Sequence, residues 1–308
     1  MHPVSGALLG RLSRPTSRNS YASLPGALGL AGRYATAMQR LLPLALILFV
    51  VVGCRSTAGS TDDPRPGTLV VVGGGGTPPA VLARALQLAG EGDVSVAVIP
   101  FASGREDRGD GAVQMWLEAG ASSAVNIEDD PATAGDVIET ADIVWMIGGD
   151  QNRLVEWLGT SGMLPAFQRR WSTGGIFGGT SAGAAVMTER MLTGEADLES
   201  LRAATTMTAP GFNLWADVIV DQHFVARRRN NRLLSAVLDG PHEIGIGIDE
   251  RTAVIVHPGN RCEVLGEGSV VIYDARRASI AEVQPGELWS ARSIVLHVLR
   301  DGDTFRVD

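Results

Sequence analysis

The chain has 308 residues, of which 45% are hydrophobic and 19% charged, and carries a formal net charge of −8. That length supports a folded domain with a sizeable core, and the acidic balance excludes nonspecific nucleic-acid binding as a function class. Two cysteines, Cys54 and Cys262, exclude a disulfide-built scaffold.

From Met38 the chain reads MQRLLPLALILFVVVGC. Arg40 supplies positive charge, Leu41 to Val52 is almost wholly apolar, and Gly53-Cys54 ends the run. The run is shorter than the ~20 residues of a membrane-spanning helix and predicts a secretory signal peptide. Residues 1–37 carry no strong period, so Met38 is the expected start of translation, with a cleavable basic leader as the alternative. The ending Val51-Val52-Gly53-Cys54 resembles the lipobox of bacterial lipoproteins. It implies lipidation at Cys54 and an exported protein held to a bacterial membrane by its N-terminus. Residues 1–53 then read as leader and signal, 54–67 as a polar Gly/Pro/Ser-rich tether, and 68–308 as one domain.

Apolar runs alternate with helical patterns from Thr68 onward. Strands are predicted at Leu69–Val72, Val94–Ile99, Ser123–Ile127, Asp142–Ile147, Ile176–Phe177, Val218–Val220 and Ile244–Ile248. Helices are predicted at Pro78–Leu88, Asp110–Ala119, Ala132–Glu139, Asn152–Leu158, Pro165–Trp171 and Asn230–Leu238. Continuous Val/Ile runs separated by helices imply an α/β fold, with a mostly parallel central sheet covered by helices on both faces. After Arg251 the helical patterns stop. Ala253–His257, Arg261–Leu265, Ser269–Tyr273, Ser293–Leu299 and Thr304–Val307 read as a C-terminal antiparallel β extension of the sheet edge.

Four signals fall just after predicted core strands. Gly179-Thr180-Ser181-Ala182-Gly183 lies between Ile176-Phe177 and the helix-forming run Ala184–Met187. That is the context of a nucleophile elbow, in which Ser181 is lifted from the sheet and the Ala182 N–H points at a developing oxyanion. Gly148-Gly149-Asp150-Gln151 offers the Gly149 N–H as a second donor, and Asp150 also suits a helix N-cap. Of five histidines, only His223, in Asp221-Gln222-His223-Phe224, follows a core strand, where it would serve as the base of a hydrolytic serine. The strand Gly245–Ile248 ends in Asp249-Glu250, and spacing alone leaves open which of the two carboxylates orients the imidazole. All four are expected at the carboxyl edge of one parallel sheet. The order Ser, His, acid disfavours an α/β-hydrolase.

Arg227, Arg228, Arg229 and Arg232 follow the histidine and suit a clamp for substrate carboxylates. The Gly73–Gly76 turn fails as a dinucleotide fingerprint, because its third glycine position is Pro78. No metal or organic cofactor is called for.

The segments GGTSAGAAVM, IGGDQNRL, DQHF with its arginines, and GIGIDERTA together resemble the cyanophycinase-like serine peptidases, relatives of the aspartyl dipeptidases. The resemblance spans about Leu69 to Val256. It implies a fold like the class I glutamine amidotransferases, with serine in place of cysteine at the elbow. It also implies that Ser181 is the nucleophile, His223 the base and Glu250 the acid, with the Gly149 and Ala182 N–H groups forming the oxyanion hole. Asp150, Gln151, Asp221, Gln222, Arg227, Arg229 and Arg232 would line the substrate site. The implied partner is a peptide with aspartyl or β-Asp-Arg units, and a homodimer is left open. The sequence departs from the family at Arg228 and Asn231, which stand where glycines are usual, and at GGGGT, which lacks the usual acids.

Overall fold

The computed structural model describes residues 66–105, 108–128, 130–194 and 200–308. The residues read as a signal segment, Met38, Cys54 and nearly all of those read as a tether lie outside those residues. Among the described residues, no helix is long and apolar enough to cross a membrane.

The first half is a run of strand–helix units: β1 (Thr68–Val72), α1 (Pro79–Ala89), β2 (Ser95–Ile99), α2 (Asp110–Ala119), β3 (Ser123–Asn126), α3 (Pro131–Thr140), β4 (Ile143–Met146), α4 (Gln151–Thr160), α5 (Leu164–Ser172), β5 (Ile176–Thr180) and the short α6 (Ala182–Ala185). A small hairpin, β6 (Arg190–Leu192) with β7 (Thr208–Pro210), precedes β8 (Val218–Gln222), α7 (Asn230–Asp239) and β9 (Ile244–Ile248). The C-terminal strands are β10 (Thr252–His257), β11 (Arg261–Gly266), β12 (Val270–Asp274), β13 (Ser279–Ile280), β14 (Ala291–Arg292), β15 (Val295–Leu299) and β16 (Thr304–Arg306).

The central sheet has eight strands in the order β16-β11-β10-β1-β5-β4-β2-β3. β1, β5, β4, β2 and β3 are parallel, and β10, β11 and β16 extend the edge antiparallel, as predicted for three of the five C-terminal segments; the other two, Ser269–Tyr273 and Ser293–Leu299, do not join this edge. The Val/Ile runs fill both faces. Leu69, Val71, Val144 and Phe177 pack into one core, while Val70, Val72, Val96 and Ile143 pack into the other. A strand buried on both faces needs continuous rather than alternating hydrophobicity, which is why these runs read as they do.

The structure corrects the single-sheet expectation for four strands, β8 and β9 of the parallel part and β12 and β15 of the C-terminal extension. β8 and β9 do not join the central sheet. They pair with each other in parallel and, with β12 and β15, form a second sheet of order β15-β12-β9-β8. The site residues expected at one sheet edge therefore come from two sheets. Backbone hydrogen bonds at the carboxyl end of β1 join them: His223 N–H to Gly73 O (2.7 Å) and, from the turn after β9, Arg251 N–H to Gly74 O (2.8 Å); Gly73 N–H to Thr252 O (2.9 Å) continues the β1–β10 pairing. The Asp249–Arg251 turn carries the chain from β9 directly into β10, next to β1.

Candidate active site

Ser181 sits between β5 and α6 with φ 53° and ψ −110°, a conformation that side chains rarely adopt. The flanking glycines are steric necessities of that turn. A Cβ on Gly179 would lie 2.6 Å from the Gly183 backbone, and one on Gly183 would lie 2.2 Å from Met146 O of β4. The Ser181 N–H is held by Val72 O at 3.0 Å, which leaves the side chain to project from the carboxyl end of the sheet.

His223 leaves β8 with φ 51° and is 8% exposed. Its Nε2 lies 2.9 Å from Ser181 Oγ, and its Nδ1 lies 2.6 Å from Glu250 Oε1. A carboxylate at Nδ1 keeps the proton on that nitrogen and leaves Nε2 to accept the serine hydroxyl. Burial pushes the imidazole pKa below its ordinary value of 6.5, and the Arg227 and Arg229 charges push the same way, against the opposing pull of Glu250. The imidazole is therefore neutral, the state a general base requires, at neutral pH.

Asp249, left open against Glu250 by spacing, has a different partner: its Oδ1 accepts the Ala226 N–H at 3.0 Å and holds the loop after His223. The Gly73–Gly76 turn, which no nucleotide fingerprint explained, packs on the His–Glu pair. A Cβ on Gly74 would lie 2.4 Å from His223 Cε1, and one on Gly75 would lie 2.6 Å from Glu250 Cβ. Sequence reading missed this role; four glycines directly after the first core strand were the available signal.

Gly149, with φ +147°, follows β4, and a Cβ there would meet Ala102 O at 2.3 Å. Its neighbour Gly148 lies against Ser181, so the turn borders the nucleophile. Ala182 begins α6, where the first N–H groups have no intrahelical acceptor. The Asp150 carboxylate caps α4 through the Asn152 N–H at 2.9 Å. The Gln151 amide donates to Leu192 O at 2.8 Å, tying this turn to β6.

The basic cluster divides in two. Arg227 and Arg228 are exposed. Arg229 Nη1 donates to Gln222 O (2.6 Å), Gln222 Oε1 (2.8 Å) and Asp221 Oδ1 (3.3 Å), and burial lowers its pKa to about 10. Arg232 is 3% exposed; its Nε donates to Asp221 Oδ2 at 2.9 Å, its Nη2 to Asp221 Oδ1, and its Nη1 to Gly194 O at 2.9 Å. Asp221 is fully buried. This corrects the expectation that Asp221 and Arg232 face the substrate. A carboxylate in a buried strand requires a cation, and Arg232 supplies it from the first turn of α7. Removing Asp221 would leave Arg232 buried without its carboxylate, a loss of ~3–5 kcal/mol, whereas removing Arg232 would leave Asp221 with Arg229 alone.

A serine from the central sheet, with a histidine and a carboxylate from the second sheet in hydrogen-bonded sequence, can support acyl transfer through a serine nucleophile. Fold, site and relatives together define a serine-type peptidase, a hydrolase. The profile of peptidase family S51 matches residues 69–263, and the chain belongs to that family. It is 35% identical over 237 residues to a cyanophycinase from Geminocystis herdmanii (strain PCC 6308), covering 73% of this chain and 87% of that protein. It is 39% identical over 168 residues to a cyanophycinase from Synechococcus elongatus, covering 53% of this chain and 52% of that protein, about half its length. A crystal structure of a peptidase from an acI-B1 Actinobacterium shares the fold, with a TM-score of 0.57 and 21% identity, covering 79% of this chain and 98% of that one.

Proposed function

We propose that the protein is a serine exopeptidase of the cyanophycinase type, hydrolysing aspartyl or isoaspartyl peptides, including those with β-Asp-Arg units, through an acyl-enzyme on Ser181. The observation that carries this reading is the hydrogen-bonded chain Ser181–His223–Glu250. His223 removes the Ser181 proton as Oγ attacks the carbonyl, and the Gly149 and Ala182 N–H groups stabilise the oxyanion. Glu250 holds the imidazolium. His223 then protonates the leaving amine, and water repeats the sequence to release the acid. Arg227 and Arg229, with Gln222 held against Arg229, bind the substrate, and Gln151 is assigned to the same site. Asp221 and Arg232 hold that surface in place from beneath. Mass spectrometry of products from a panel of α-aspartyl, β-aspartyl and β-Asp-Arg peptides tests the reading. Cleavage of α-aspartyl dipeptides alone would make it an aspartyl dipeptidase, and turnover of none would leave a binding protein.

The pH dependence tests the assigned roles. The acid limb of kcat/KM is expected below pH 6.5, because the depressed pKa of His223 keeps the base unprotonated there. In Glu250→Gln the limb should move lower still, since the carboxylate that favours the protonated ring is gone, and kcat should fall by roughly 10²–10⁴-fold. Asp249→Asn should leave the limb in place. Equal effects from the two substitutions would contradict the assignment of Glu250.

We also propose lipidation at Cys54 and export to a bacterial membrane, on the sequence signal alone. Labelling of cells with a palmitate analogue is expected to tag the wild type and not Cys54→Ser; equal labelling rules the anchor out.

A further inference from the structure

The second sheet has an open edge. β15, Val295-Leu296-His297-Val298-Leu299, pairs with β12 on one side, and among the described residues its outer N–H and C=O groups have no partner. At the opposite edge of the same sheet, all five residues of β8 are buried. An unpaired edge is a template for another strand, and proteins block such edges with charge, proline, bulges or brevity. The edges of the central sheet follow that practice. β16 is three residues long and carries Arg306, and β3 has four residues with Ser123 and Asn126 at its ends. β15 has no proline, no acid, no lysine and no arginine, and its register with β12 is unbroken.

Both faces of this strand are open. Val271 and Tyr273 of β12, opposite Val298 and Leu296, pack with Leu233 and Val237 of α7. Leu296 and Val298 continue that apolar layer sideways into solvent, 55% and 64% exposed. On the other face Val295 is 46% exposed and His297 is exposed beside it.

The strand's own sequence fits the edge. Set antiparallel to a second copy and centred on His297, Val295 faces Leu299 of the partner subunit and Leu296 faces Val298 of the partner subunit. Every aliphatic side chain then meets another, in the cross-strand pairs that stabilise a sheet, and no formal charge is covered. A two-fold axis through His297 satisfies both open edges at once. The contact closes as a pair and does not grow into a fibre, because the buried β8 offers no second edge.

We propose that β15 is the interface of a symmetric dimer, in which two copies of this chain join their four-stranded second sheets into one continuous sheet across paired β15 strands. The proposal is independent of the reaction assigned to Ser181, since no residue of β15 belongs to that site. Five strand residues a side are fewer than the roughly 20–30 of a stable interface, so the dimer is reversible and concentration-dependent.

Sedimentation velocity of the purified protein tests it. The wild type should pass from one to two copies as its concentration rises from about 1 to about 100 µM. Leu296→Lys combined with Val298→Lys places charge at two exposed positions and should hold the protein as a monomer over that range, with its circular dichroism spectrum retained. Cysteine cross-linking in a Cys54→Ser background tests the register, Cys262 being buried. His297→Cys sets two Cα atoms about 4.5–5.5 Å apart across the axis and should give disulfide-linked dimers on mild oxidation. Val295→Cys sets them about 13 Å apart, four residues out of register, and should not. A wild type that is monomeric throughout, a dimer that persists in the double-lysine variant, or equal cross-linking of the two cysteine variants would overturn the proposal.

Discussion

Replacing Ser181 with alanine is expected to lower kcat/KM by about 10⁴-fold or more, with the circular dichroism spectrum and melting temperature retained. Alanine keeps the Cβ and loses only the oxygen that lies 2.9 Å from His223 Nε2. Ser181→Gly should be equally inactive but more stable. The observed φ of 53° with ψ −110° costs a residue with a side chain ~1–3 kcal/mol, and glycine adopts it freely. Part of that gain is offset by the greater freedom of glycine in the unfolded chain, ~0.5–1 kcal/mol. The net expectation is about 1 kcal/mol, or a rise of ~2–4 °C in Tm for a domain of this size. Hydrolysis surviving in either variant would remove Ser181 as the nucleophile. A lower Tm for the glycine variant would mean that the elbow stores no strain.

Gly74→Ala is expected to have the second-largest effect on activity, although residue 74 takes no part in the proposed chemistry. Its φ of +98° disfavours any side chain, and the added methyl would stand 2.4 Å from His223 Cε1 and 2.5 Å from Nε2. One of the two must move. If the ring moves, it leaves either Ser181 or Glu250, and a displacement of about 1 Å in a catalytic group costs on the order of 10²-fold in rate. If the turn moves, the Arg251 N–H bond to Gly74 O at 2.8 Å is disturbed, and with it the approach of Glu250. The expected result is a 10²-fold or greater loss in kcat with a destabilisation of ~1–3 kcal/mol. Gly76→Ala is the control. Its φ is also positive, at +102°, but the nearest atom to an added Cβ is 3.6 Å away on Arg251, so it should destabilise without comparable loss of kcat. Equal kinetic losses in the two would show that the turn matters only through its backbone conformation.

The elbow was legible because its constraints are local. Gly179 and Gly183 are required by the sharp turn they flank, so the pattern around Ser181 carries its own structural explanation. His223 and Glu250 were legible in position, since each follows an apolar strand, but the sheet they belong to was not. Val218–Val220 and Ile244–Ile248 read as buried, and burial is satisfied equally by a place in the central sheet or by a second layer. The direction of the arginines was hidden for a related reason. Arg229 and Arg232 are three residues apart and share a helical face, but what that face meets is set by where Asp221 lies in space. The isolated acid at the end of Val218–Val220 was the clue available, because a carboxylate continuing a buried strand needs a cation.

The placement of β10 has a consequence for the order in which the protein becomes active during synthesis. Leu69 pairs with Val256, so the first strand of the domain waits for most of it to be made before its outer neighbour arrives. Such distant pairings close slowly. The same late segment brings Glu250, and β8 brings His223 only shortly before it. On the proposed mechanism, a nascent chain that has already formed the elbow carries an unactivated hydroxyl until His223 and Glu250 have been translated. On that reading, a product that stops before Glu250 cannot assemble the Ser181–His223–Glu250 chain.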